Sequence, residues 1–260
     1  MCTIAVFKNL FLGYPLVVAA NRDELLDRPS AGPTIRDWNH NIFAPKDLQR
    51  GGTWNGVNGY GVFAGITNRL DVKSVRGESK RSRGELVMWA LQHRTAESAF
   101  DQLNRLKGQN YNGFNLVISD KKNLYLLRGN GQVIESTMEE DGILIVTNQG
   151  IGLGGLKSSG ARVNNVLTAW NRIKNECVVN GPSISSLKQL LDVHSEERYG
   201  TCINYPKENY GTKSSGIIHL KSEVDGDWWQ YHHRERSSQD LHICEEEFKY
   251  MMRFPIIPRI

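Results

Sequence analysis

Short runs of β-branched and apolar residues, punctuated by glycines and charged turns, dominate this chain, and four stretches adopt helical spacing instead. Residues 3–8 and 16–20 are apolar at nearly every position, so the strands they predict keep no face for solvent. Strands buried on both sides belong in the middle of a sheet. Gly51, Gly52, Gly56, Gly59, Gly61 and Gly65 are interspersed with Val57, Val62 and Phe63, the pattern of a tight hairpin feeding a buried strand. Residues 82–93 predict a helix opened by a Ser82–Glu85 capping box, and 95–106 a second one started at Thr95 or Ser98. Residues 113–120 and 124–128 predict a hairpin turning at Lys121-Lys122-Asn123, followed by strands at 133–136 and 143–147. Val163, Val166, Leu167, Trp170 and Ile173 fall on one face of a long helix over 161–177, and 187–193 reads as a shorter one. Strands at 201–204, 215–221 and 228–233 close the pattern. The tail, with Pro255 and Pro258, can be neither regular helix nor central strand. Strands, helix pair, strands, helix pair, strands: this order predicts one layered α+β domain over residues 1–260 rather than alternating βαβ units.

Composition narrows the classes. The chain has 260 residues, 39% hydrophobic and 23% charged, enough to bury a core without staples. Its net charge of +4 is spread along the chain, and the densest basic run, Lys80-Arg81-Ser82-Arg83, has no interleaved aromatics. No nucleic-acid partner is expected. No apolar stretch approaches membrane-spanning length and no signal peptide is visible, so stable membrane insertion is not expected and the cytoplasm is the predicted location. Cys2, Cys177, Cys202 and Cys244 show no CxxC spacing and read as free thiols. His232-His233 and Glu245-Glu246-Glu247 lack metal-ligand spacing, so no metal is expected. Gly152-Leu153-Gly154-Gly155 lacks the Gly-Lys-Ser/Thr of a phosphate loop, and no cofactor signature is present.

Four places could carry chemistry. Cys2 follows the initiator methionine, and a residue this small favours removal of Met1. The exposed α-amine, with a pKa near 8, could then take the thiol proton, putting nucleophile and base on one residue. Asn21-Arg22-Asp23-Glu24 ends the second apolar strand. If the first two strands are antiparallel neighbours, Asp23 comes to lie beside Cys2 and could hold the amine. Asn148 ends the strand at 143–147, where its amide could donate to an oxyanion; Asn68 stands at a similar strand end. Arg162 opens a helix and suits a carboxylate or phosphate on a ligand. Each of these has a plainer reading as a strand residue, turn or helix surface.

Taken together the segments resemble the NRDE family, also called the transport and Golgi organisation protein 2 family. The resemblance rests on Met1-Cys2 before an apolar strand and on Ala19-Ala20-Asn21-Arg22-Asp23-Glu24. It continues through Gly51-Gly52-Thr53-Trp54-Asn55-Gly56, Thr67-Asn68, Ser82-Arg83-Gly84-Glu85-Leu86, Tyr111-Asn112-Gly113-Phe114-Asn115-Leu116 and Tyr210-Gly211-Thr212-Lys213-Ser214-Ser215. Lys213 departs from the arginine usual there, which would cost a bidentate contact. That family looks like a distant relative of N-terminal-nucleophile hydrolases such as bile-salt hydrolases and penicillin V acylases. The resemblance implies a four-layer αββα sandwich and catalytic roles for Cys2, Asn21, Asp23 and Asn148. Arg22, Trp54, Asn68 and Arg162 would bind substrate. Ala20 stands where the hydrolases carry an arginine, with Arg22 at a variable position. Two functions follow: an amidase-like hydrolase acting on a non-peptide C–N bond, or a non-catalytic protein of the same fold that binds and traffics haem, lipid or acyl-CoA. The implied partner is a small amide, acyl or haem-like molecule.

Overall fold

The computed structural model describes residues 2–72, 80–153, 160–195, 199–237 and 242–257. Gly154 and Gly155, from the glycine run that lacks a phosphate-loop signature, lie outside them, as does Pro258.

Strands β1 (Thr3–Phe11) and β2 (Tyr14–Leu25) form the first hairpin, β3 (Ser30–Asp37) and β4 (Ile42–Asp47) a second, and β5 (Asn55–Val57) and β6 (Phe63–Asn68) a third. Helices α1 (Gly84–Leu91) and α2 (Ala96–Leu103) follow, then β7 (Phe114–Ser119), β8 (Leu124–Gly129), β9 (Ile134–Glu139), β10 (Gly142–Thr147) and β11 (Ile151–Leu153). Helices α3 (Ala161–Asn180) and α4 (Ile184–Leu191) precede β12 (Asn204–Tyr205), β13 (Tyr210–Glu223), β14 (Gly226–Glu235) and β15 (Lys249–Pro255). One antiparallel sheet runs β11-β10-β1-β2-β13-β14-β15, with β12 paired to β13; the other runs β3 to β9 in chain order.

The unbroken apolar runs now have their reason. Ile4, Val6, Leu16, Val18 and Ala20 pack between the two sheets, against Phe43, Phe63, Val117 and Trp229. Ala5, Phe7, Val17 and Ala19 point the other way, onto Val163, Val166, Trp170 and Leu187 of α3 and α4. With period-2 alternation, a strand sandwiched between layers must be apolar on both sets of positions. Helices α1 and α2 cover the second sheet through Leu86, Val87, Ala90, Ala99 and Leu103. The four layers are therefore α, β, β, α, the predicted sandwich.

Several boundaries differ from the sequence expectation. The Ser82–Glu85 capping box does not form: Arg83 is the N-cap with no side-chain bond, because the Glu85 carboxylate pairs with Arg81 and accepts the Tyr111 hydroxyl at 2.6 Å. Helix α2 does start at Thr95, whose hydroxyl accepts the Ser98 N–H at 3.0 Å. Helix α4 begins earlier than residue 187 because Ser183 caps it through the Ser186 N–H. The strand expected at 201–204 shrinks to β12, since Thr201 instead donates its hydroxyl to Leu190 O at 2.8 Å and accepts the Val193 N–H at 3.1 Å. Strands β3 and β4 went unpredicted: Pro33, Pro45 and mixed polarity hide an edge pair. The proline-containing tail supplies an edge strand of the first sheet, β15. No described helix is long and apolar enough to cross a membrane.

Candidate active site

Register brings the chemical residues together. In β1 and β2, Thr3 stands opposite Asn21; in β1 and β10, it stands opposite Thr147. Cys2, one residue before Thr3, therefore emerges at the sheet end with Arg22 and Asp23 on one side and Asn148 on the other. The Cys2 N–H donates to Asn148 Oδ1 at 2.7 Å, and its thiol lies 3.8 Å from Asp23 O. Thr147 holds the turn that aims Asn148, its hydroxyl accepting the N–H groups of Gln149 and Gly150. Asn115, on β7 of the other sheet, donates to Thr67 Oγ1 at 3.1 Å and Thr147 O at 3.3 Å, tying the sheets beneath the site.

Alternation along β2 then sorts the polar run. Asn21 faces the helical layer, donating to Leu191 O and Thr201 O, each at 2.8 Å, and accepting Ser215 Oγ–H at 2.6 Å. It does not line the pocket; it clamps the end of α4 to the sheet. Asp23 turns the same way. Its Oδ2 accepts Arg162 Nη1–H at 2.7 Å and its Oδ1 accepts Thr212 Oγ1–H at 2.7 Å. Arg162, expected to reach a ligand, is instead fully buried against Asp23. An arginine entering from α3 meets the back of β2, so the sheet itself stands between it and the pocket. Arg22 faces the opposite way, into the cleft, with its guanidinium 4.3 Å from the Trp54 ring centroid.

A cleft of about 700 Å³ opens here, lined by Cys2, Arg22, Asp23, Trp54 and Asn68 among others. Its charge is lopsided. Arg22, Arg28, Arg50, Lys80, Arg81 and Arg83 line it against Asp23, Glu24 and Asp47. Asp47 is held by Arg28 at 2.6 Å, Asp23 by Arg162, and Arg81 pairs with Glu85 outside the lining set. Arg22 touches Glu24 only at 3.8 Å, and its Nη1 is buried with no hydrogen-bond partner. Burial lowers the Arg22 and Arg83 guanidinium pKa values, as expected for cations held away from water without a full counter-charge. Burial likewise raises the Cys2 thiol, the Asp23 charge adds to it, and Arg22 opposes.

Sequence reasoning missed Arg83, Thr212 and Asn115. Thr212 and Lys213 sit at a bulge in β13, where the register slips between Thr212, opposite Asp23, and Ser214, opposite Arg22. The bulge aims Lys213 Nζ at Leu26 O, 2.9 Å away, and Arg28 O, 2.6 Å away. The ammonium thus makes two donations without a guanidinium fork.

The geometry has counterparts among known proteins. The family model described as Transport and Golgi organisation 2 matches residues 1–234. The Transport and Golgi organization protein 2 homolog of Bos taurus is 37% identical over 115 residues, and that of Homo sapiens 36% over 110 residues. Each match covers 41% of this chain and 39% of the relative, so well under half of either curated protein is spanned. Among solved structures, a mutant conjugated bile acid hydrolase from Clostridium perfringens superposes with a TM-score of 0.55 at 10% identity, covering 97% of both chains. A Caenorhabditis elegans N-acylethanolamine-hydrolyzing acid amidase ortholog gives 0.57 at 12% identity, covering 84% of this chain and 92% of that one. At these identities the likeness is one of fold: these neighbours are N-terminal-nucleophile hydrolases.

Proposed function

The chain belongs to the Transport and Golgi organisation 2 family, and from that premise we propose that the cleft is the centre of an N-terminal-cysteine hydrolase cleaving a non-peptide amide in a small anionic molecule. The observation that carries the reading is the placement of Cys2, with its nitrogen on Asn148 and its thiol beside Asp23, at the floor of a cationic cleft. That the solved neighbours are named as a hydrolase and an amidase supports it by analogy of fold alone.

The chemistry starts with removal of Met1, which turns the Cys2 nitrogen into an α-amine. The amine takes the thiol proton, and the thiolate sulfur attacks the amide carbonyl carbon. The carbonyl π electrons move to oxygen, and the Asn148 amide N–H, on the side chain whose oxygen holds the Cys2 nitrogen, would donate to that oxyanion. Collapse breaks the C–N bond, the amine leaves with the proton from the α-ammonium, and a thioester remains on Cys2. Water, deprotonated by the same α-amine, attacks the thioester and releases the carboxylic acid and the thiol. Asp23, fixed by Arg162 and Thr212, keeps the end of β2 in place beside the thiol. Arg22, stacked on Trp54 with one nitrogen unpartnered, would take the anionic group of the substrate.

Two paired measurements test this. Intact mass after reaction with a thiol-specific electrophile should show Met1 absent and Cys2 labelled ahead of Cys177 and Cys244. Turnover should then be compared between an N-acylglycine and the matching N-acylethanolamine, which differ in one carboxylate. The wild type should prefer the N-acylglycine, and Cys2→Ala should abolish cleavage of both. Arg22→Met should raise KM for the anionic amide about tenfold or more, the scale of one charge-assisted hydrogen bond, and leave the neutral one unchanged. Cleavage by Cys2→Ala would sink the mechanism.

A second reading has its own observation. The sequence carries Met1 ahead of Cys2, and burial raises the Cys2 thiol. A chain that keeps Met1 has no α-amine on Cys2, and the same cleft would then hold an acyl or haem-like anion without cleaving it. Mature protein with Met1 intact, and equal ligand binding by wild type and Cys2→Ala, would favour this reading.

A further inference from the structure

Away from the cleft, three segments meet at one point. His194 follows α4, Cys202 lies in the loop before β12, and Cys244 sits in the short helical turn Ile243–Glu245. Their ligand atoms all lie within 4.8 Å of one another. Cys244 Sγ is 3.5 Å from His194 Nε2. The His242 ring stacks edge-on against His194, with centroids 5.4 Å apart. His194, Cys202 and His242 line one cavity of about 350 Å³.

We propose that this cluster is a zinc site of the structural type, with Cys202, Cys244 and His194 as ligands and His242 closing the fourth position. The donor set argues for the metal. Thiolate with imidazole suits a tetrahedral d¹⁰ ion, and bonds of about 2.3 Å to sulfur and about 2.0–2.1 Å to nitrogen put neighbouring donors about 3.5–3.8 Å apart. The Cys244–His194 separation already has that value, and Cys202 Sγ lies within 4.8 Å of both. Cys202 is buried, a setting that disfavours a lone thiolate without a counter-charge. A divalent cation supplies the counter-charge that two adjacent thiolates need, releasing their protons as it binds.

The site would clamp the turn at 243–245 onto the loop after α4. That loop also supports the cleft. Thr201, beside Cys202, accepts from Asn21 through its carbonyl at 2.8 Å, and the Ile203 N–H donates to Thr212 Oγ1 at 3.0 Å. Thr212 in turn holds Asp23. The ligands come from widely separated segments, so no short spacing motif announces them.

The test uses cobalt(II) as the probe on the reduced, full-length chain. One equivalent should give thiolate-to-cobalt charge-transfer absorption and the intense d–d bands of a tetrahedral site, both bleached by one equivalent of zinc(II). Cys202→Ser and Cys244→Ser should each lose part of the charge-transfer intensity, and the double variant all of it. Cys2→Ala should leave the spectrum unchanged. Exposed His194→Ala should shift the d–d bands, and it serves if the serine variants do not fold. Absence of these bands in the native reduced protein overturns the proposal. So does their loss in Cys2→Ala, or a Cys202–Cys244 disulfide found by peptide mapping of protein isolated without reductant.

Discussion

At the scale of single residues, the buried pair of Arg162 and Asp23 decides how the site is held. Both side chains are fully buried and 2.7 Å apart. Breaking such a pair from one side leaves a charge in a low-dielectric setting, whereas replacing both need not. Arg162→Met should therefore destabilise the protein by about 3–5 kcal/mol, measured by urea unfolding. The double variant Arg162→Met, Asp23→Asn should recover a substantial part of that loss. Additive losses would show that the two residues act independently. The same argument explains why Arg162 is unsuited to a ligand: its charge is already answered. Arg22 differs, since its Nη1 is buried without a partner while its face rests on Trp54.

At the scale of elements, the close crossing of the Gly51–Trp54 loop over the start of α1 sets the cleft wall. A Cβ on Gly84 would lie 2.8 Å from Thr53 O and 3.0 Å from Thr53 N, both backbone atoms that cannot swing aside. Ala in place of Gly ordinarily favours a helix by roughly 0.5–1 kcal/mol. Here the clash wins, because it needs a backbone shift costing about 1–3 kcal/mol. Gly84→Ala should lower Tm on that account. The shift also moves Trp54 from under Arg22, so affinity for an anionic ligand should fall in the same variant, measured by titration. A rise in Tm would show that the loop gives way freely. The bulge at Lys213 is a second element-scale device: one extra residue in β13 lets Thr212 face Asp23 while Lys213 reaches the carbonyls of Leu26 and Arg28.

At the scale of the whole molecule, the two-sided burial of the first sheet links stability to pH. His219, on β13, is 4% exposed and faces Tyr14, His232 and Lys221. Burial first, then the charges of His232 and Lys221, pushes its pKa down to about 3. The folded state thus binds fewer protons than the unfolded chain between about pH 3 and 6.5. Folded stability from this group is full above the unfolded pKa and is lost as pH falls through that window, by up to about 1.4 kcal/mol for each pH unit crossed. Unfolding free energy should fall from pH 7 to pH 4, and His219→Gln should flatten that slope whatever its effect at pH 7. An unchanged slope would assign the acid sensitivity to other groups.

Apolar runs at 3–8 and 16–20, glycine punctuation and helical spacing at 161–177 were enough to give a layered α+β domain with a buried central sheet, because burial on both faces is written into residue type at every position of a central strand; the αββα order came from the family resemblance. The nearness of Asp23 to Cys2 was also legible, since the first two strands read as antiparallel neighbours, whereas the pairing of β10 with β1 that brings Asn148 to the Cys2 nitrogen was not. The edge strands β3 and β15, and β4 beside β3, were less legible, because the margin of a sheet tolerates proline and charge and leaves only a faint pattern. Which way each member of the Asn21-Arg22-Asp23 run points was decided by the sheet alone, as were the burial of Arg162, the bulge at Lys213 and the meeting of His194, Cys202 and Cys244. Those outcomes depend on register and on crossings between segments far apart in the chain, and a side chain's chemistry carries no record of what the fold will bring against it.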